Sequence, residues 1–285
     1  MIKTPLSTVI GGAFWTPGAT VIGGAKLSFE IVMKKLFANG EQGFFYDPND
    51  LSTMYQDAAG TVPVTAVGQP VGLILDKSGR NNHAYQTVSA SRPILRKNAV
   101  TGANYLEFDG SDDYLIVAKD NLKFLHDGTG ATGFVGFKPS GTNIYHTLLN
   151  TGNLGSAPAV GYALAQDDRA GNGNILNIVS NGSGALHVNN IYKAGISANP
   201  RVVSFKNKIG THVLRLNGTE VLNTSTETGA PSTSVSTNDL WIGRAPYGNP
   251  LHGHLYGVIC INRLTTDSET VAIEKEIAKR LGVML

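Results

Sequence analysis

The run Leu106-Glu-Phe-Asp-Gly-Ser-Asp-Asp-Tyr-Leu115 constrains this chain more than any other. Apolar and polar residues alternate up to Asp109, the Asp109-Gly110 dipeptide is a tight-turn signal, and a second strand follows from Tyr114. A strand that reverses so sharply commits the region to antiparallel β-structure. Asn217-Gly218, between Leu214-Arg-Leu216 and Glu220-Val-Leu222, repeats the message, because a two-residue hairpin turn needs positive φ at both central positions. Further short strands are expected at 134–137, 145–149, 162–165, 175–179, 202–205, 213–216, 240–242 and 255–261. With 34 glycines and only 15% charged residues, the composition suits an all-β sandwich better than a helical protein.

The run Leu255–Ile261 is apolar on both faces, which predicts a central strand covered on each side. The terminal helix is the candidate cover. Thr266-Asp-Ser-Glu269 has capping-box spacing, and Ile273, Ile277 and Leu281 then form an apolar stripe, predicting a helix over 267–281. Glu276 and Arg280 are spaced for a surface ion pair, and Gly282 suits the helix end.

Three regions follow from these signals. Residues 1–35 read as an extended arm, in which Thr8-Val-Ile-Gly-Gly-Ala13 recurs as Thr20-Val-Ile-Gly-Gly-Ala25. Too glycine-rich to build a core, the arm can add as a strand to another subunit, with Val9, Ile10, Val21 and Ile22 as docking residues. A loosely ordered tail has the same composition. Residues 36–100 read as a β-rich segment leading into the sandwich, with the aromatic strand Phe44-Phe-Tyr46 and the polar loop Asp76–His83. Residues 101–285 form the sandwich itself.

Composition also excludes. A net charge of +2 without a basic stripe gives no electrostatic case for nucleic acid. A lone cysteine, Cys260, allows no intrachain disulfide and reads as a buried thiol matured in a reducing compartment. No apolar run reaches the roughly 18 residues of a membrane span. The N-terminal stretch, broken by prolines and glycines, reads as retained in the mature protein.

The chain resembles two things. Leu106–Leu115, the hairpin around Asn217-Gly218, and Leu240-Trp-Ile-Gly-Arg244 with His254–Arg263 and the capped helix resemble, in that order, the laminin-G-like, concanavalin A-like jelly roll. The stretch Gly43–Thr53, with Gln56-Asp57 and Asp76–His83, is similar to the segment preceding this jelly roll in virion proteins of tailed bacteriophages. The resemblance implies a non-enzymatic virion component, a tail, fibre or decoration protein, assembled in the bacterial cytoplasm. Other virion proteins would be partners, and a host-surface glycan the ligand. It also implies a homo-oligomer; phage fibres are commonly trimers, although no heptads here enforce one. An architectural decoration protein without ligand is the alternative, and a polysaccharide-degrading enzyme the third.

Candidate chemistry is sparse. Asn172, Asn174, Asn181 and Asn189 sit in glycine-rich surroundings and can hydrogen-bond sugar hydroxyls, while Tyr162, Tyr192, Tyr247 and Trp241 can stack on sugar faces. Asp109, Asp112 and Asp113 offer hard oxygens to calcium, against the plainer reading of aspartates capping their own turn. Asp167-Asp168-Arg169 is a second acidic turn. His252-Gly-His254 places two imidazoles on one strand face but lacks a third metal ligand. Glu107 and Asp109 mimic the paired carboxylates of retaining glycosidases, yet Gly110-Ser111 breaks the alternation before Asp112. No cofactor is implied beyond that calcium.

Overall fold

The structure is a computed structural model and describes residues 8–10, 13–15, 29–141, 144–151, 159–171, 173–182, 186–195, 198–221 and 224–285. The chain opens with a short antiparallel pair, β1 (Thr8–Ile10) and β2 (Ala13–Trp15), followed by helix α1 (Phe29–Leu36). The next strands are β3 (Gly43–Tyr46), β4 (Met54–Tyr55), β5 (Leu73–Ile74), β6 (Ala84–Tyr85), β7 (Ile94–Lys97), β8 (Asn104–Asp109) and β9 (Leu115–Val117). Longer strands follow: β10 (Ala131–Pro139), β11 (Tyr145–Asn150), β12 (Val160–Asp167), β13 (Asn174–Asn181), β14 (Leu186–Lys193) and β15 (Arg201–Lys208). The chain closes with β16 (Thr211–Leu216), β17 (Thr219–Glu220), β18 (Thr224–Glu227), β19 (Leu240–Ile242), β20 (His252–Ile261) and helix α2 (Asp267–Leu281).

Among the described residues two large antiparallel sheets form an all-β sandwich. One runs β17-β16-β15-β10-β20-β8-β7, with β3 also paired to β20; the other runs β18-β14-β13-β12-β11-β19-β9-β6-β5-β4. Strands from residues 43–97 enter both sheets, so this segment is woven into the sandwich through β20, β8 and β9. Between the sheets lie Phe44, Phe108, Phe137, Tyr162, Leu164, Phe205 and Val258, all essentially without solvent contact.

The central strands β10 and β20 are apolar on both faces because α2 covers the outer one. Phe134, Ile259 and Ile261 turn outward and meet Ile273, Ile277 and Leu281, whereas Val135, Val258 and Cys260 turn inward. The helix begins and ends where its caps place it. Thr266 Oγ1 accepts from the Glu269 amide at 3.2 Å, Glu269 Oε2 accepts from the Thr266 amide at 2.8 Å, and Gly282 terminates at φ 75°. Polar clamps fix it: Arg280 grips Asp47 with two hydrogen bonds of 2.7 and 3.2 Å, and buried Glu274 accepts from Arg215 at 2.8 Å and Ser204 at 2.6 Å.

The arm read over residues 1–35 is not extended at its end. Phe29, Val32, Met33 and Leu36 recur at helical spacing, and α1 packs this face on Phe45 and the α2 layer. Glycine-rich sequence upstream draws the eye from this periodicity. Val9 and Ile10 fall in β1; Val21 and Ile22 lie outside the described residues.

The loop Asp76–His83 is a structural knot. Asp76 accepts from the Phe45 amide at 2.9 Å, the Ser78 amide at 2.8 Å and the Asn82 amide at 3.1 Å, while Asn82 Nδ2 donates to the Gly43 carbonyl at 2.7 Å. A buried carboxylate supplied with this many donors needs no ligand to satisfy it. Its polar residues therefore seat β3 against β20. Among the described residues, no helix is long and apolar enough to cross a membrane.

Candidate functional site

Strand alternation decides what the ten-stranded sheet shows on its outer face. In β19, Leu240 and Ile242 are buried at 0% and 1% exposure, so Trp241 between them points outward. Cross-strand register places Trp241 opposite Ile116 of β9 and Asn150 of β11, and Asn150 opposite Ala163 of β12. Tyr114, two residues before Ile116, shares that face. Its ring stacks on Trp241 with centroids 4.3 Å apart and planes 13° from parallel. This diagonal aromatic pair is a flat, half-exposed platform.

The chain leaving β19 frames the platform. Gly243 adopts φ +85° directly over Phe108, where any side chain would overlap the ring, so the turn hugs the core. Arg244 then swings its guanidinium to 5.8 Å from the centre of the Tyr114 ring. Ala245 and Gly248 exchange two backbone hydrogen bonds of 2.9 Å, closing a tight loop that lifts Tyr247 to 51% exposure. The Tyr247 hydroxyl accepts from Asn150 Nδ2 at 3.5 Å, which folds the ring back toward the sheet.

A second aromatic–guanidinium pair lies at the same end. Tyr145 of β11, Asp167 of β12 and Asn174 of β13 are successive cross-strand partners on this face. Arg169 lies 4.8 Å over the Tyr145 ring and holds Asp167 with two hydrogen bonds of 2.9 and 3.1 Å. Burial works against the Asp167 charge, and the Arg169 hydrogen bonds overcome it, leaving the carboxyl below its usual range. Burial, with Tyr247 and Asp167 nearby, pushes the Tyr145 hydroxyl upward, so it remains a neutral donor.

The turn before the platform is acidic. Asp109, Asp112 and Asp113 bring carboxylate oxygens within 4.8 Å of one another, a spacing open to a divalent cation. Each already has a protein donor. Asp109 accepts from the Ser111 amide at 2.8 Å, Asp113 from the Asp109 amide at 3.0 Å and Asp112 from Ser91 Oγ at 2.6 Å. Burial first, then repulsion from Asp109, Asp112 and Glu107, pushes the Asp113 carboxyl up to about 6. Beside this turn, Glu107 and Asp109 face His254 and His252 across β20, lining a cavity of about 380 Å³. Glu107 is engaged by Arg96 at 2.7 Å, and His254 stacks on Tyr105 with centroids 4.2 Å apart.

With this geometry in hand, comparison with known proteins adds one finding. No family model matches the chain, and no curated protein sequence matches it. Solved structures do match. The botulinum neurotoxin serotype D ligand-binding domain, in complex with N-acetylneuraminic acid, superposes with a TM-score of 0.55 at 12% identity, covering 86% of this chain and 52% of that one. A structure of botulinum neurotoxin type C, whose cell entry depends on two ganglioside molecules, gives 0.55 at 10% identity, covering 86% and 53%. A neurotoxin DC binding domain bound to rat synaptotagmin II gives 0.52 at 11% identity, covering 72% and 49%. The likeness is one of fold. The chain spans about half the length of these structures.

Not every residue singled out in the sequence reaches the platform. Trp241 and Tyr247 do, and Asn174 stands at its edge. Tyr162 is corrected: its parity on β12 turns it inward, where it is fully buried 5.0 Å from Phe205 and cannot meet a ligand. Tyr192 of β14 pairs with inward-facing Ile175 and packs its partly exposed ring on the core. Asn181 stands at the opposite end of β13, donating to the Ala230 carbonyl at 3.3 Å. Asn172 lies outside the described residues. Tyr114, Tyr145, Asn150 and Arg244 carry no binding role in the sequence reading. Tyr114 had a signal, the alternation with Leu115 and Val117, but its partner Trp241 lies over a hundred residues away.

Proposed function

We propose that this chain is a non-enzymatic glycan-binding module, carried on a tailed-phage virion, that adheres to host-surface carbohydrate. The observation carrying the binding function is the half-exposed Tyr114–Trp241 stack, flanked by Tyr247 and Arg244, on an otherwise orderly sheet face. Sugar rings present an apolar C–H face that packs on such a surface, and their hydroxyls take up adjacent amide and guanidinium donors. Neighbouring folds that hold a sialic acid or engage gangliosides support a carbohydrate ligand. The virion context rests on the resemblance of residues 43–53 and 76–83 to phage proteins, with the N-terminal segment as the docking element for other virion proteins and for a homo-oligomer.

The test has two arms. The recombinant chain is screened on an array of bacterial surface polysaccharides, beside Tyr114→Ala and Trp241→Ala variants that keep the wild-type melting temperature. Selective binding by wild type, lost in both variants, supports the module. Wild-type binding that survives in both refutes this site. Antibody against residues 101–285 is then applied to intact particles in the electron microscope. Label at tail or fibre tips supports adhesion. Label spread over heads or necks favours the architectural alternative, and unlabelled particles refute the virion role.

A further inference from the structure

Arginine in this protein is a consistently paired residue, with one exception. Of the nine arginines in the chain, eight donate hydrogen bonds to protein acceptors: Arg80, Arg92, Arg96, Arg169, Arg201, Arg215, Arg263 and Arg280. Among the described residues Arg244 donates none, and its Nε is buried without a partner. Its one interaction among those residues is the position over the Tyr114 ring. A guanidinium held by an aromatic face, with its donors unspent, is arranged to receive an acceptor from outside the chain.

The acidic residues of the turn before the platform do not supply that acceptor. Asp109 and Asp113 take backbone amides of their own turn, and Asp112 takes the Ser91 hydroxyl. On the other flank, Asp167 is claimed by Arg169. The Trp241 indole N–H is likewise without a protein acceptor among the described residues. A ligand stacked on Tyr114 and Trp241 therefore meets one unneutralised fork of N–H donors at its edge. The group matching that fork in shape and charge is a carboxylate, which accepts two parallel hydrogen bonds from guanidinium.

We propose that this face selects glycans bearing a carboxylate, hexuronic or nonulosonic acids, and that Arg244 reads the acid. The inference rests on the glycan-binding reading above and names the ligand class of that site. It predicts that charge, as well as ring shape, decides which polysaccharide binds.

The experiment compares a carboxylated oligosaccharide with its carboxyl-reduced form, in which each acid has become a primary alcohol. Calorimetric titration of the whole chain is run with both, at 50 and 300 mM salt. The expected result is a preference for the acid of at least about tenfold, the size of a charge-assisted hydrogen bond, weakening at high salt. Arg244→Gln should lower affinity for the acid to that for the reduced form, and Arg244→Lys should retain part of the preference, having charge without the fork. Equal affinity of wild type for the two forms overturns the inference while leaving glycan binding intact. A preference undiminished in Arg244→Gln overturns the role of Arg244. If neither form nor any arrayed glycan binds, the site itself fails and this inference fails with it.

Discussion

Replacing Asp113 with Asn removes a charge from a crowded acidic turn, and the result can be worked out in advance. The carboxyl is buried, it faces Asp109, Asp112 and Glu107, and it titrates near 6. An aspartate in the unfolded chain titrates near 4. The folded state therefore binds a proton between about pH 4 and pH 6 that the unfolded state has given up. Stability from this group is full below pH 4 and is lost as pH rises through 6. Tenfold in proton affinity is about 1.4 kcal/mol, which caps the loss near 3 kcal/mol; screening of the neighbouring carboxylates at physiological salt brings the expected value to about 1–2 kcal/mol. Asn keeps an acceptor for the Asp109 amide without the charge. Asp113→Asn should therefore be more stable than wild type by that amount at pH 7.5 and indistinguishable from it at pH 4. Urea unfolding followed by circular dichroism at half-unit steps measures this. Histidines complicate the absolute curves: burial pushes His146 down to about 4, so its contribution falls as pH drops over the same window. That effect is common to both proteins and cancels in their difference. A difference that is flat with pH, or a variant less stable at pH 7.5, would refute the reasoning.

Other substitutions test separate links. Gly243→Ala should lose at least about 2 kcal/mol by chemical denaturation, because a methyl there must displace the Phe108 ring at φ +85°. Thr266→Ala should lose about 1 kcal/mol with the α2 capping box. Glu269, held at about 2 by hydrogen bonds from Arg263, contributes stability present at neutral pH and lost as pH falls through that value. Glu269→Gln should thus be destabilised at pH 7 and approach wild type near pH 2 in the same unfolding assay. Trp241→Ala should leave the melting temperature within about 2 °C, since its ring lies on the outer face, while weakening glycan binding at least about tenfold by titration.

Most of the fold was legible because its signals are local. The Asn217-Gly218 hairpin, the twice-apolar run ending in Ile261 and the box at Thr266–Glu269 each act within a few residues, and each appears as read. The Asp109-Gly110 turn is present but makes no hairpin: β8 pairs with β7 and β20 in one sheet, and the chain crosses to β9 in the other. The failures have physical causes. Helix α1 is short, its apolar spacing covers only two turns next to glycine-rich sequence, and it stands on Phe45 and the α2 layer. Tyr162 reads as a surface aromatic in the sequence because every residue of β12 from Gly161 to Asp167 is buried, so neither face of that strand carries the polar alternation that marks an outside. The platform joins Tyr114 to Trp241, a pairing created by strand register between distant segments. The polar loop Asp76–His83 is a hydrogen-bonded seat for β3, a role set by its contacts to Phe45 and Gly43, 31 and 39 residues away.

Trp241 is also the natural reporter of the central claim. The chain has two tryptophans, Trp15 and Trp241, so a Trp15→Phe variant leaves the platform residue as the sole indole. Titrating it with oligosaccharides that score on the array, while following indole emission and its quenching by iodide, tests the site directly. The account predicts a saturable emission change and protection from iodide, with a midpoint equal to the affinity measured by calorimetry. Binding seen calorimetrically with an unchanged, fully quenchable Trp241 would place the glycan elsewhere and contradict the account.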